Sequence, residues 1–215
     1  MPRSSTPAIL LFTATLAFAA VAAAPAGVRS AVADEAPGPR RNQASLSFMG
    51  LAGFLRFNVG SFVLAYERRL DDHHAVRVAG DFVHVHHAAD HVQVHQWTFG
   101  GTLGYRYHLD PAGGVFVGAE VGYRRGFGHH GEVGGPDHTT LANRQLRVLP
   151  EIGVRVPHHR LPLVFVTRIA AGWGPYHVTT ERADDVGRAA ARYAQDVLAA
   201  TPLVVEVEAS LAFGF

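Results

Sequence analysis

The sequence of 215 residues contains no cysteine and no lysine. Without cysteine the chain cannot form disulfides, thiolate metal sites or cysteine nucleophiles, and it cannot carry a lipid on an N-terminal cysteine. Charge of one sign is not in excess either, since 19 basic residues, all arginine, face 18 Asp and Glu. The sequence therefore has no basic stripe for nucleic acid, and we expect no nucleic-acid partner.

Only one long apolar run is present, and it lies near the start of the chain. Arg3 precedes the apolar run 8–24, and Ala31 and Ala33 frame a small-x-small cleavage site. This pattern predicts a cleavable secretory signal peptide over residues 1–33. A second run of about twenty apolar residues is missing, which argues against a helical membrane protein.

The rest of the chain, residues 44–215, alternates apolar and polar side chains at the period of a β-strand. Residues 34–43, which contain Pro and Gly, predict a flexible linker in front of it. The alternation predicts eight strands at about 44–55, 60–70, 75–87, 91–108, 115–126, 144–157, 162–173 and 202–215. Tight connections alternate with long ones, as expected for one all-β, antiparallel up-and-down transmembrane barrel whose long loops, 127–143 and 174–201, lie outside.

The predicted strands carry apolar residues on one face and charges on the other. The charged face holds seven arginines and six carboxylates: Arg69, Arg77, Arg106, Arg124, Arg147, Arg155 and Arg168, with Glu67, Asp81, Glu120, Glu151, Glu206 and Glu208. A soluble barrel would place its charges in water, whereas this pattern predicts apolar residues against lipid and charges in the lumen. Because eight strands enclose room for side chains alone, we expect these charges to pair with one another.

We expect the pairing to form an ionic network that fills the lumen, since the arginine fork can satisfy two carboxylates. Its predicted members are Glu120, Arg124, Arg147, Glu151, Arg168, Glu206 and Glu208, with Glu120, Glu151, Arg168 and Glu206 at the centre. The interior residues Gly100, Gly104, Gly118, Gly122 and Gly153 either make room for arginine side chains or mark strand bends. Such a network is either a gated pore or proton path, or a filled core, and we favour the filled core.

The final strand ends on Phe213 and Phe215, both in phase with its apolar face. This ending resembles the closing strand of bacterial outer-membrane β-barrels, which the barrel assembly machinery reads as a signal. Over residues 44–215 the pattern resembles the small eight-stranded barrels of the OmpA, OmpX and opacity-protein type. The resemblance implies an outer-membrane location, contact with lipid and lipopolysaccharide, the assembly machinery as a partner, and a monomer.

Aromatic residues are expected at both membrane interfaces of such a barrel. Those predicted near the periplasmic ends are Tyr66, Tyr107 and Phe215, and those predicted near the outer ends are Phe82, Trp97, Tyr123 and Trp173.

Two segments depart from the strand pattern. Pro150 interrupts the sixth strand and cannot donate to its ladder, which predicts a bulge. Between Glu181 and Ala200 the alternation stops and apolar residues recur at helical spacing, which predicts a short helix in the last outer loop.

Histidine is abundant, with 14 residues. If residues 88–89 form a two-residue turn, His86 faces His91, and His84 and His95 lie along the same face. Imidazoles so placed could bind zinc, copper or nickel, and no other cofactor is expected. The alternative, which we favour, is that histidine is common in the polar loops of this chain.

The sequence contains no recognisable catalytic signature, because no strand serine stands beside a histidine. We therefore assign no catalytic residue. The sequence predicts an outer-membrane β-barrel with a structural or surface-binding role. The alternatives are a surface metal-binding barrel, a narrow channel and an enzyme that modifies lipid A.

Overall fold

A computed structural model describes residues 41–47, 59–89, 92–110, 114–132, 137–158, 161–185, 188, 192, 195–196 and 202–215. The predicted signal peptide 1–33 lies outside the described residues. Asn42 and Gln43, at the end of the predicted linker, already belong to the first strand.

The described residues form antiparallel strands that close into a barrel. They are β1 Asn42–Ser47, β2 Val59–Arg69, β3 His74–Ala89, β4 Val92–His108, β5 Gly114–Glu132, β6 Asp137–Pro157, β7 Leu163–Trp173, β8 Tyr176–Ala183 and β9 Leu203–Gly214. Strands adjacent in sequence pair from β1 to β7, and β9 pairs with both β7 and β1. Closure lets the ladder satisfy its own backbone groups, which is what a bilayer requires of any spanning sheet.

Strands β7 and β8 are two parts of one barrel strand. Val148 of β6 pairs with Trp173, and Gln145, three residues away, pairs with Tyr176. The register is therefore the same on both sides of the interruption at 174–175. This confirms the predicted count of eight barrel strands, although residues 176–183 were predicted to be loop.

Pro150 does not produce the predicted bulge. Val148 pairs with Trp173 and Glu151 with Ala170 in one unchanged register, so no extra residue is inserted. The ladder to β7 skips positions 149 and 150, while pairing with β5 continues through Pro150. Because β6 is held on both sides, it loses a donor without losing its register.

The barrel is taller on one side. Strands β2 and β9 have 11 and 12 residues, close to the 9–11 or so that cross a bilayer. Strands β3 to β6 have 16, 17, 19 and 21 residues. Their upper parts, together with β8, form what we call the outer wall: residues 82–89, 92–99, 125–132, 137–144 and 176–183. The chain ends lie at the opposite end of the barrel, and we therefore expect this wall on the outer side. Most of the predicted long loop 127–143 is wrong, because residues 127–132 and 137–143 form strand within this wall.

The last outer loop covers one edge of this wall. Residues 185, 188, 192, 195 and 196 have helical backbone, and the rest of the predicted helix lies outside the described residues. The Gln195 amide accepts a hydrogen bond from the Val178 N–H at 2.6 Å and donates one to the Tyr176 carbonyl at 3.3 Å. One side chain thus takes the place of a neighbouring strand along β8. In the part of the chain that the structure describes, no helix is long and apolar enough to cross a membrane.

Candidate functional site

The barrel exposes its apolar side chains and buries its charged ones. Exposed large hydrophobic residues include Leu46, Leu64, Val78, Leu103, Val121, Leu146, Ile152, Phe165, Leu203 and Leu211. Buried charged residues are Glu67, Arg69, Arg77, Asp81, Arg106, Glu120, Arg147, Glu151, Arg155, Arg168 and Glu208. Both features are unfavourable in water, but an apolar outer face is what lipid requires of a spanning strand. The fold is that of a small outer-membrane β-barrel.

Two crystal structures of Acinetobacter baumannii proteins are similar to this barrel at low sequence identity. CarO2 is 9% identical with a TM-score of 0.47, over 84% of this chain and 100% of its own. CarO is 7% identical with a TM-score of 0.47, over 82% of this chain and 98% of its own. No protein-family model and no curated protein matches the sequence. The closed ladder and the exposed apolar face identify the barrel.

Aromatic rings lie at both ends of the apolar face. At the end with tight turns, Tyr66, Tyr107 and Phe215 are exposed, and His73 stacks on Tyr107 with ring centroids 5.5 Å apart. At the other end the exposed or partly exposed rings are Phe82, Trp97, Phe99, Tyr123, Phe127 and Trp173. Girdles of aromatic residues are typical of the two boundaries between lipid and water, where Tyr and Trp rings present an apolar body and a polar edge.

Three arginines and three glutamates meet at the centre of the lumen, namely Arg77, Arg106, Arg168, Glu120, Glu151 and Glu208. Arg168 donates to Glu208 at 2.6 Å, to Glu120 at 3.1 Å and to Glu151 at 3.0 Å. Arg77 pairs with Glu120 and Glu208, and Arg106 donates to Glu151 at 2.6 Å. Each of the six charges has two opposite partners or more, which offsets the loss of hydration.

A ring of four charges lies above this centre. Arg124 pairs with Asp81 and, at 2.9 Å, with Glu206. Arg147 pairs with Glu206 and, at 3.3 Å, with Asp81. The ring is closed, because both arginines contact both carboxylates. It joins the centre where Glu206 approaches Arg168 at 3.7 Å.

A smaller group lies toward the periplasmic end. Glu67 accepts from Arg106 at 2.7 Å and also approaches Arg155 at 3.7 Å and His108 at 3.5 Å. Arg155 also donates to the Gln43 side chain. Through Arg106 this group is continuous with the centre, so one network runs along the lumen.

All seven residues predicted for the network lie in the lumen and take part in it. The structure differs in the arrangement, since Arg77 and Arg106 occupy the centre and Glu206 lies in the ring above. Sequence reasoning placed both arginines on the charged face but did not assign their height. Counting residues from the tight turns would have given their level, because each strand rises by about 3.3 Å per residue.

The interior glycines make room for these side chains. A Cβ at Gly122 would lie 2.6 Å from Cγ2 of Thr102 and 2.8 Å from Nε of Arg147. A Cβ at Gly104 would lie 2.8 Å from Cγ of Glu120. Of the two uses that the sequence left open for these glycines, the close approach of charged side chains is the one seen at these positions.

The histidine hairpin differs from the prediction in its register. Ala89 pairs with Val92, so the connection is at 90–91 and not at 88–89. His86 therefore faces His95, and the predicted pairing of His86 with His91 is wrong. The rings of His86 and His95 stack with centroids 4.0 Å apart. His91 lies outside the described residues.

The other histidines of this group lie on the outward face of the outer wall. His84 stacks on Trp97 with centroids 5.4 Å apart, and His95 lies opposite His129 of β5. Stacked rings turn their faces, not their nitrogens, toward each other. Among the residues whose placement is described, no group of three or more His, Asp or Glu is arranged to hold a metal ion. Metal binding stays a prediction.

The end of β9 lies at the seam where the barrel closes. The Phe215 N–H donates to the Asn42 carbonyl at 2.9 Å, and the Phe213 and Phe215 rings stack on the outward face with centroids 6.4 Å apart. Their role as an assembly signal stays a prediction.

Proposed function

We propose that this protein is a sealed outer-membrane barrel with a structural or surface-binding role. The observation that supports the seal is the packing of charges at the centre of the lumen. The Arg77 and Arg168 side chains are 2% and 4% exposed, and that of Glu120 is fully buried. Side chains occupy the cross-section that a conducting path would need.

Opening such a path would require these pairs to separate. Because each charge has at least two partners, moving one arginine aside leaves buried carboxylates without their counter-charge. Breaking a buried pair in this way costs about 3–5 kcal/mol. At about 1.4 kcal/mol per factor of ten, an open state would be populated at roughly one part in a thousand.

The surface-binding part of the proposal is supported by the outer wall. Five strand segments extend above the height needed to cross the bilayer, and their faces carry aromatic, histidine and arginine side chains. A purely structural barrel has no need of this extra height.

Single-channel recording in planar bilayers tests the seal. We expect the folded protein to be closed for almost all of a recording, with no sustained stepwise conductance. The double variant Arg168→Ala with Glu208→Ala removes a pair without changing the net charge, and we expect it to conduct. The outer-wall variant Arg125→Ala is the control and should stay closed.

A steady current through the unmodified protein that changes when Glu120, Glu151 or Arg168 is neutralised would overturn the seal. It would support the narrow channel in its place.

A further inference from the structure

Two arginines face each other on the outward face of the outer wall. Arg125 of β5 lies directly opposite Arg144 of β6, and both are exposed. Like charges in directly opposed positions destabilise a sheet. Every strand Asp or Glu whose side chain is described is turned toward the lumen, so none of them can neutralise this pair.

An imidazole flanks the pair on one side and an aromatic ring flanks it on the other. Phe99, Arg125, Arg144 and His177 occupy one row across four neighbouring strands. A shallow cavity of about 420 Å³ beside Arg125 is lined by Phe99, Phe127 and His129, among others. An occupant of this surface would meet guanidinium groups next to apolar ring faces.

The height of the pair places it at the outer boundary of the lipid. Val115 and Arg125 are both on the outward face of β5. They are separated by about 34 Å along the strand, or about 25 Å of height at a tilt near 45°. The apolar band of such barrels is also about 25 Å tall. Tyr123 and Leu146, one outward position below, still belong to the apolar face.

We propose that Arg125 and Arg144 together bind a phosphate group of an outer-leaflet lipid, with His177 beside them. Two guanidinium forks can each donate a pair of hydrogen bonds to phosphate oxygens, and an anion between them removes their mutual repulsion. The acyl chains of the same lipid would lie along the apolar face below. A soluble anion has no such chains, and therefore we assign the site to a lipid. The inference rests on the membrane orientation in the proposed function but not on the sealed lumen.

The test is the binding of bis-phosphorylated lipid A to the full-length barrel folded in detergent, measured by native mass spectrometry. We expect binding at least ten times weaker for dephosphorylated lipid A, and a similar loss for the double variant Arg125→Gln with Arg144→Gln. Arg68→Gln is the matched control, because Arg68 is also exposed on the outward face but at the periplasmic end. It should bind as the unmodified protein does.

Competition by inorganic phosphate distinguishes a lipid phosphate group from a free phosphate ion as the bound anion. We expect no competition from it at concentrations that match the lipid. Equal binding of both lipids, unchanged binding by the double variant, or competition by inorganic phosphate at matched concentration would each overturn the proposal.

Heat-dependent gel migration reports whether each variant is folded, and the single variants Arg125→Gln and Arg144→Gln replace the double variant if it does not fold. A conducting barrel that still loses lipid A in these variants would refute the seal and leave the lipid site standing.

Discussion

Arg124 and Arg125 are adjacent in the sequence and lie in opposite environments. Arg124 points into the lumen, where Asp81 and Glu206 pair with it. Arg125 points outward, where Arg144 is its directly opposed neighbour. The pleat of the strand turns successive side chains to opposite faces. The comparison shows that the partners on each face, and not the residue type, decide whether an arginine stabilises this barrel.

The largest expected effect comes from removing an arginine at the centre of the lumen. Arg168→Ala leaves Glu120, Glu151 and Glu208 with fewer counter-charges in a buried setting. We expect the free energy of unfolding to fall by about 3–5 kcal/mol. Urea unfolding in detergent micelles measures it. A loss below about 0.5 kcal/mol would mean that water, and not pairing, stabilises the lumen charges.

A smaller effect is expected from filling the space beside the network. In Gly100→Ala the new Cβ would lie 2.6 Å from Cγ of Arg124 and 3.0 Å from the Tyr123 carbonyl oxygen. Overpacking of this kind costs about 1–3 kcal/mol. Gly101→Ala is the control, since its Cβ would meet only an ordinary contact at 3.6 Å. Equal unfolding midpoints for the two variants would contradict the tight packing of the lumen.

On the outer wall we expect a substitution to raise the free energy of unfolding. Arg125→Gln removes one of two like charges in directly opposed positions, and such a change stabilises a sheet by roughly 0.2–1 kcal/mol. The effect should appear in unfolding experiments in uncharged detergent without added anions. Destabilisation by this variant would show that Arg125 already has a favourable partner within the protein.

The smallest effect concerns a turn outside the membrane. The Asp71 carboxylate accepts hydrogen bonds from the His73 and His74 backbone N–H groups, both at 2.8 Å. These bonds hold the pKa of Asp71 below its usual range. Their contribution is therefore fully present above the unfolded pKa of about 3.9 and is lost as the pH falls through the folded value.

Thermal unfolding of the protein and of Asp71→Ala between neutral and acid pH tests this contribution. We expect the difference between their midpoints to be constant near neutrality and to shrink in acid. A difference that does not depend on pH would assign the effect to the turn backbone.

The fold and the membership of the lumen network could be predicted because both depend on a period of two. Once the apolar face of β5 is identified from residues such as Val117 and Val121, the inward position of Glu120 and Arg124 follows. The strand count was also correct, since the termini and the tight connections after β2, β4 and β6 all fall at one end.

The pairing register of neighbouring strands and the presence of strand β8 could not be predicted in the same way. The partner of His86 depends on a turn only two residues long, and a shift of the turn by two positions replaces His91 with His95. Strand β8 was missed because Thr179 and Thr180 are polar on both faces, and it is held by β6 and Gln195 and not by an apolar face of its own. Arg125 was not predicted to be a site residue. Its role depends on Arg144, and the two residues are brought together by the pairing register between β5 and β6.

A double-mutant cycle on Arg168 and Glu208 measures whether pairing stabilises the lumen. The two side chains meet at 2.6 Å, and each is 7% exposed or less. Unfolding free energies of Arg168→Ala, Glu208→Ala and the double variant give their coupling. We expect the double variant to be destabilised by clearly less than the sum of the two single losses, with a coupling above about 1 kcal/mol. Additive losses would show that the lumen charges do not stabilise the barrel through one another.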